Sequence, residues 1–460
     1  MTKQIHVNAF EMATPGHINH GLWRVPGNRR TQYKDLGYWT DLAQLLERGL
    51  FDAVFLADVV GTYTTYRGDR RAALKAGMQV PNIDPAFVVP AMAAVTRHLG
   101  FAVTSSTSYE PPFSHARRLS TLDHLTGGRL AWNVVTGYLP DAARNYGLPE
   151  QVKHDERYAI AEEYLEVVYR LLESSWEDDA VVLDGAEHTY TDPDKVHEIG
   201  FEGEHFQVAG PHLSEPSPQR TPVLYQAGTS SRGKAFAARH AEAVFLLPRD
   251  DAQAREEIAD LRRLAVEAGR SPEHVKAFIG VEVVVGRTQA EVDQKIALLV
   301  EHRDVEGHLV LFSGWAGIDL SGDDTDSYLE YRGGDAMQTF ERMWSEGEDR
   351  KKVGELVQHL SRPENNTFFV AGTPEQVADR IEEIIDGTDA DGINLIQHLS
   401  PATFADFVDL VVPELQRRGR YRTAYTPEET LRERLFGTGN ARALPDHPAA
   451  THRPAVEPVG

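Results

Sequence analysis

The feature that most limits how this chain can fold is a repeated alternation. Short, continuously apolar runs recur along it, with stretches of helical periodicity between them. The strand candidates are Ile5–Phe10, Ala53–Ala57, Leu99–Thr104, Leu130–Thr136, Pro222–Ala227, Ala243–Leu247, Val275–Val285 and Ile393–Leu399. Helical patterns fall at Tyr38–Glu47, Pro85–Thr96, His115–Leu125, Ala159–Leu172, Ser231–His240, Ala252–Ala268, Ala290–Glu301 and Pro374–Ile385. Unbroken apolar strands suit burial on both faces, and amphipathic helices supply the cover. About eight such units predict an α/β fold, a (β/α)8 TIM barrel with long insertions. An open doubly wound sheet is the alternative, because strand order is not readable from sequence.

Two stretches break the rhythm. Glu173–Arg220 is rich in Asp, Glu, Pro and His, and Gly307–Asn366 carries Gly, Asp and aromatic clusters. Long excursions of this kind serve as lids or binding loops. The expected organisation is one barrel domain over residues 1–425, with insertions at about 173–220 and 307–366. A C-terminal extension follows over 426–460, whose Pro-rich end reads as an arm ordered by contact or a frayed tail.

Composition removes several functions. Lys and Arg number 47 against 70 Asp and Glu, a formal net charge of −23. That field disfavours nucleic acid and anionic lipid as partners. Cys is absent, so no thiolate nucleophile, disulfide or Cys-held metal is available. The N-terminal MTKQIHVNAF lacks a signal-peptide core, and no apolar run approaches the roughly 18 residues of a membrane span. A cytoplasmic protein is expected.

In a parallel barrel, chemistry sits where the strands end at their carboxyl side. Polar residues there include Asp58, Thr104, Asn133, Thr136, Gln226, Gly228, Asn394, Gln397 and His398. The sharpest local signal is Tyr225–Ala235, YQAGTSSRGKA. A strand ends at Gly228, and Thr229, Ser230 and Ser231 open a helix whose free N–H groups suit a phosphate. An ordinary Ser N-cap is the plain alternative. The same segment nearly spells a P-loop, but Ala235 stands where a Ser or Thr should hold Mg²⁺. No GxGxxG follows a strand, which argues against a nicotinamide site. His17 and His20 have HxxH spacing without an accompanying carboxylate, a weak metal motif. His154–Tyr158, HDERY, is a polar knot at a helix start, suited to capping or to reaching a phosphate.

Several of these segments together resemble the bacterial luciferase-like, two-component flavin monooxygenases. The motifs are NAFEM, FDAVFLADVVGTY, ARRLSTLDHLTGGRLAWNVVT, HDERY, EPSPQRTPVLYQAG and DFVDLVVPELQRRG. The similarity is to the branch holding nitrilotriacetate, dibenzothiophene-sulfone, dimethyl-sulfide and long-chain alkane monooxygenases, and it runs from the first strand to about Gly419.

The resemblance implies a barrel that receives reduced FMN (FMNH2) from a separate flavin reductase. O2 then forms a flavin peroxide that oxygenates a small organic substrate. It places Asp58, Thr104 and Asn133 along the flavin ring, and His154, Tyr158, Gly228, Thr229, Ser230 and Ser231 at the ribityl chain and phosphate. Substrate contacts would come from Thr14, His17, Tyr63, Gln79, Tyr138 and His398. Catalytic roles fall to His17, Tyr63, Asn133 and Tyr138, with His17 first because histidine titrates near neutrality. Alkane-hydroxylating relatives carry Cys and His where this chain has Thr14 and Tyr138, which implies a shorter or more polar substrate. The family commonly forms homodimers or homotetramers. Its alternatives are C–N (riboflavin-type) or C–S cleavage in the same family, and an F420-dependent oxidoreductase on the same barrel.

Overall fold

The computed structural model describes residues 3–228, 230–322, 325–328, 352–366 and 368–454. Eight parallel strands form its centre: β1 (His6–Met12), β2 (Ala53–Ala57), β3 (Gly100–Ser106), β4 (Leu130–Val135), β5 (Val223–Gln226), β6 (Ala243–Leu246), β7 (Lys276–Val285) and β8 (Gly392–Ile396). Each pairs with the next in chain order. The ring closes because β8 also pairs with β1, with His6 opposite Gly392 and Phe10 opposite Ile396. Closure excludes the open sheet and makes this a (β/α)8 barrel. Among the described residues no helix is long and apolar enough to cross a membrane.

Alternate residues of the strands fill the interior. Phe10, Phe55, Tyr225, Phe245 and Phe278 pack there against small Ala53, Ala102, Ala131 and Ala243, the large-with-small layering of a filled barrel. Helices cover the outside, among them Leu36–Arg48, Pro112–Thr126, Ser231–His240, Asp251–Glu267 and Pro374–Thr388.

The amino ends of the strands are sealed by the C-terminal extension. Its helix Leu431–Phe436 begins with a capping box between Thr430 and Glu433 and sends Leu431 and Leu435 into the barrel interior. A Cβ on Gly100 would stand 2.8 Å from the Leu431 side chain, so the start of β3 has no room for a larger residue. Arg432, fully buried, grips both Glu242 oxygens at 2.7 and 3.0 Å. The fully buried Asp52 accepts from Val7 N at 2.7 Å and His6 Nδ1 at 2.9 Å, and pairs with Arg422. The arm is also tied down further on, by Arg453 Nε to Glu173 Oε2 at 3.0 Å.

The excursions contain more structure than their composition suggests. Residues 173–220 hold two small hairpins, Val181–Asp184 with Thr189–Thr191 and Phe201–Glu202 with Gln207–Val208. The start placed at Gly307 falls inside a helix, Val305–Ala316, and Val353–Ser361 is a second helix packed on it. HLVLFSGWA is apolar on every side because it lies between the barrel mouth and that second helix, so it shows no amphipathic period. A further strand, Phe369–Gly372, extends β7 in parallel beyond Glu282. At four residues it is too short to stand out from the excursion.

Leu431→Ala should lower unfolding free energy by about 2–4 kcal/mol, the usual cost of emptying a buried leucine site, read from the urea midpoint. Burial raises the carboxyls of Asp52 and Glu242, but Arg422 with His6, and Arg432, more than offset this, and both sit below the usual carboxylate range. Their contribution is complete above the unfolded value of about 4 and is lost as pH falls through the folded values. Acid should therefore unfold the chain more steeply than it unfolds Glu242→Gln.

Candidate active site at the carboxyl ends of the strands

The open rim of the barrel carries a cleft of about 210 Å³ over the ends of β2 to β5. Its walls bring together Asp58, Thr104, Tyr138, His154, Tyr158, Gly228 and Ser230, which are separated by up to 172 positions in sequence, 230 less 58.

One end is built by the turn after β5. Ser230 is extended at φ −65° and caps the helix Ser231–His240, its Oγ accepting from Gly233 N at 3.0 Å. The N-cap and anion readings thus use one geometry, since the first N–H groups of a helix have no intrahelical acceptor. Ser231 is the first helical residue and is exposed; Thr229 lies outside the described residues. From the facing helix, His154–Tyr169, His154 Nε2 lies 3.2 Å from Ser230 Oγ. Asp155 Oδ1 lies 2.8 Å from Nδ1 on the other side of the ring. The Tyr158 hydroxyl would stand 2.7 Å from a Cβ at either Gly228 or Gly233. Both glycines are therefore needed for the turn to close around the phenol.

The inner wall is set by strand register. Thr104 and Asn133 are partners across β3 and β4, and Asn133 Nδ2 donates to Thr104 Oγ1 at 2.9 Å. Asn133 itself does not line the cleft; its Oδ1 is buried with no hydrogen-bond partner among the described residues. Asp58, past the end of β2, is half-buried. Burial and the nearby Asp84 charge push its carboxyl up to about 7.

The residues expected to meet substrate separate into layers. Tyr138 lines the cleft. Behind it, its hydroxyl bonds that of Tyr63, which donates to Gln79 Oε1 at 2.9 Å. Gln79 Nε2 in turn donates to the His17 carbonyl at 3.2 Å. His17 and His398 do not line the cleft; they border a separate pocket of about 10 Å³ with Arg30 and Gln397. His17 packs on Phe10 at 4.5 Å. Burial, then Arg30 and His20, hold its pKa well below the usual value, so the premise that it titrates near neutrality fails. Thr14 is fully buried and its hydroxyl donates to Pro81 O at 2.9 Å. Its proton is thus committed, and its oxygen keeps acceptor capacity only.

Three features of the rim received no role from the sequence. Gln226 Oε1 accepts from Gly228 N at 2.7 Å and shapes the turn. Trp315 interacts with the hydroxyls of both Tyr63 and Tyr138. A second cavity of about 450 Å³ opens over the ends of β6 to β8, beneath Val305–Ala316 and Val353–Ser361. Only Gln226 had a signal, a polar residue at a strand end.

The fold and cleft accord with what comparison finds. A family model described as luciferase-like monooxygenase matches residues 20–391. The chain belongs to the luciferase-like monooxygenase family. It is 51% identical to the long-chain alkane monooxygenase of Geobacillus thermodenitrificans, over 98% of this chain and 99% of that one. The crystal structure of long-chain alkane monooxygenase (LadA) superposes with TM-score 0.92, covering 98% of this chain and 100% of that one. The dimethyl-sulfide monooxygenase of Hyphomicrobium sulfonivorans is 45% identical over 99% of this chain and 95% of its own. A riboflavin lyase (RcaE), crystallised with modified FMN and riboflavin, is 36% identical with TM-score 0.92, covering 98% and 100%. This member of the family is a flavin-dependent monooxygenase.

Asp58 yields a pH prediction. Because its folded pKa is raised to about 7, the native state holds a proton that the unfolded chain has lost, and stability falls as pH rises from about 4 to 7. Asp58→Asn should be more stable than the parent at pH 8 and no more stable at pH 4, by paired urea titrations. Equal differences at both pH values would contradict the raised carboxyl.

Proposed function

We propose that this chain is the oxygenating component of a two-component system. It takes reduced FMN from a separate flavin reductase and uses O2 to oxygenate a small organic molecule. The observation that carries the reading is the cleft itself. A capped helix start suited to an anion, at Ser230 and Ser231, lies at one end of a cleft lined also by Asp58, Thr104, Tyr138, His154 and Tyr158, with Asn133 behind the wall holding Thr104. Those residues fit a flavin mononucleotide. Ser230, Ser231, Thr229, His154, Tyr158 and Gly228 would hold the phosphate and ribityl chain; Asp58, Thr104 and Asn133 would line the ring. Bound there, reduced flavin supplies the electrons that activate O2.

The side chains supply orientation and proton control. Gln79 fixes the direction of the hydrogen-bond chain: its Nε2 is committed to the His17 carbonyl, so Oε1 takes the Tyr63 proton. Tyr63 can then only accept from Tyr138. Burial pushes the Tyr138 phenol up to about 12 and Tyr63 well above its usual value. Both work at neutral pH as un-ionised hydrogen-bonding groups, not bases. His17 is likewise an uncharged imidazole there. Helix Val305–Ala316 presses on this layer so closely that a Cβ at Gly314 would stand 2.0 Å from the Tyr63 ring, which excludes water from behind the phenols.

The substrate is shorter or more polar than the long alkanes for which the 51% relative is named, a reading that rests on the Tyr138 phenol at the cleft. Thr14 lends it no support. The working form is a homodimer or homotetramer.

Anaerobic titration with FMNH2 should saturate at one equivalent per chain, with F420H2 failing to bind. With a flavin reductase and ¹⁸O2, label should enter the product from a panel of thioethers, alkanes and N-substituted carboxylates. Saturation by F420H2 and not FMNH2 would overturn the assignment. Ser230→Ala should weaken FMNH2 binding by about 1–3 kcal/mol, the cost of losing a hydrogen bond to a charged group. Asn133→Ala should reduce label incorporation more than flavin uptake.

A further inference from the structure

The second cavity at the rim has a chemical character of its own. Its wall is apolar along one side, where Leu311, Phe312 and Trp315 face Phe368 and Ile396. Into the same space faces Arg303, half-buried at the start of the connection between two helices. The hydrogen bonds of the Arg303 guanidinium go to neutral oxygens, Nε to Leu360 O at 2.5 Å and Nη1 to Asn19 Oδ1 at 3.2 Å, while the Glu282 and Glu364 carboxylates act on its charge from beyond ion-pair distance. Nη2 makes no hydrogen bond to a described residue, and no described carboxylate lies within ion-pair distance. The buried Arg30 and Arg432 by contrast pair with Glu11 and Glu242. The buried Arg129 and Arg270 are held, like Arg303, by neutral oxygens, but they lie deep in the fold and do not line the cavity that Arg303 does.

The remaining charges of the cavity are already engaged. Glu282 accepts from Asn366 Nδ2 at 2.8 Å and Asn19 Nδ2 at 3.4 Å, with His398 Nε2 at 3.3 Å. Arg362 is bound to Glu364 at 2.8 Å. Arg249 lies exposed at the edge, its Nε on Gln253 Oε1 at 3.0 Å. Burial holds His308 and His359 below their usual values, so neither adds charge at neutral pH. What is left is one inward guanidinium whose Nη2 has no acceptor among the described residues.

The cavity also adjoins the flavin-type cleft. Trp315 lines the second cavity and interacts with the hydroxyl of Tyr138, which lines the first. A molecule in the second cavity is thus one aromatic layer from the first.

We propose that this cavity binds the substrate, and that the substrate is an amphiphile: an apolar body against Leu311, Phe312 and Trp315, and an anionic end, carboxylate or sulfonate, on Arg303. The inference rests on the oxygenase reading of the rim, and it narrows the substrate to that class. With Nε and Nη1 held by Leu360 O and Asn19 Oδ1, Nη2 supplies the N–H donors for such an oxyanion, in a hydrogen bond strengthened by the guanidinium charge.

The test is calorimetric binding without flavin, using octanoate and 1-octanol as probes, so that its failure and the failure of FMNH2 to bind are separate results. Octanoate should bind at least tenfold more tightly than 1-octanol. Arg303→Met should remove that preference while leaving 1-octanol within twofold, and Arg303→Lys should retain part of it. Equal affinity for the two probes in the parent protein would overturn the proposal, and this comparison needs no variant to fold. So would loss of both probes together in a folded Arg303→Met, or an undiminished octanoate preference in it.

Discussion

The pairing of β8 with β1 is the interaction on which the rest depends. Once His6–Phe10 lies beside Gly392–Ile396, the parallel ring has no edges, and every strand must deliver its carboxyl end to the same rim. Residues as distant as Asp58, Asn133, Ser230 and His398 then share one face of the molecule. The opposite face is closed by Leu431 and Leu435, with Arg432 and Arg422 buried beside Glu242 and Asp52. With one end filled and ion-paired, the accessible chemistry is confined to the other.

That rim is divided by side chains supplied from outside the barrel. Tyr63 and Gln79 come from the connection after β2, Tyr138 from that after β4, and Trp315 from the excursion after β7. The hydrogen-bonded Gln79, Tyr63 and Tyr138, with Trp315 beside the two phenols, form one layer between two cavities. The layer is uncharged at neutral pH, which suits a place where water and stray protons must be controlled. Behind it, Glu11 holds Arg30, Tyr38 and Gln397 together. This buried knot fixes the segment that carries His17, so the position of that ring depends on groups from four parts of the chain.

Alternation of apolar runs with helical periods was enough to read the barrel, and β2 at Ala53–Ala57 and the helix Ser231–His240 match to the residue. Both are bounded by strong local signals: a buried apolar run in one case, a Ser cap in the other. Elements without such signals escaped. Val305–Ala316 is apolar all round and so has no period, and Phe369–Gly372 is too short. At the rim, the local geometry of Ser230 follows from the Gly-Thr-Ser-Ser spacing. The behaviour of His17 does not, because its lowered pKa comes from burial and from Arg30, held by Glu11. Thr14 is similar: a free hydroxyl in sequence, it meets Pro81 O only in the folded chain. Arg303 stands near a helix end, where a cation is expected on other grounds, and nothing local marks its open Nη2.

The central claim is that the flavin phosphate sits on the helix start at Ser230 with the ring along Thr104 and Asn133. An anaerobic crystal structure with FMNH2 tests it most directly. The account predicts phosphate oxygens within hydrogen-bonding distance of Ser230 or the Ser231 amide, and a ring nitrogen donating to Asn133 Oδ1. Phosphate density elsewhere, or the ring seated in the cavity of Arg303, would contradict it.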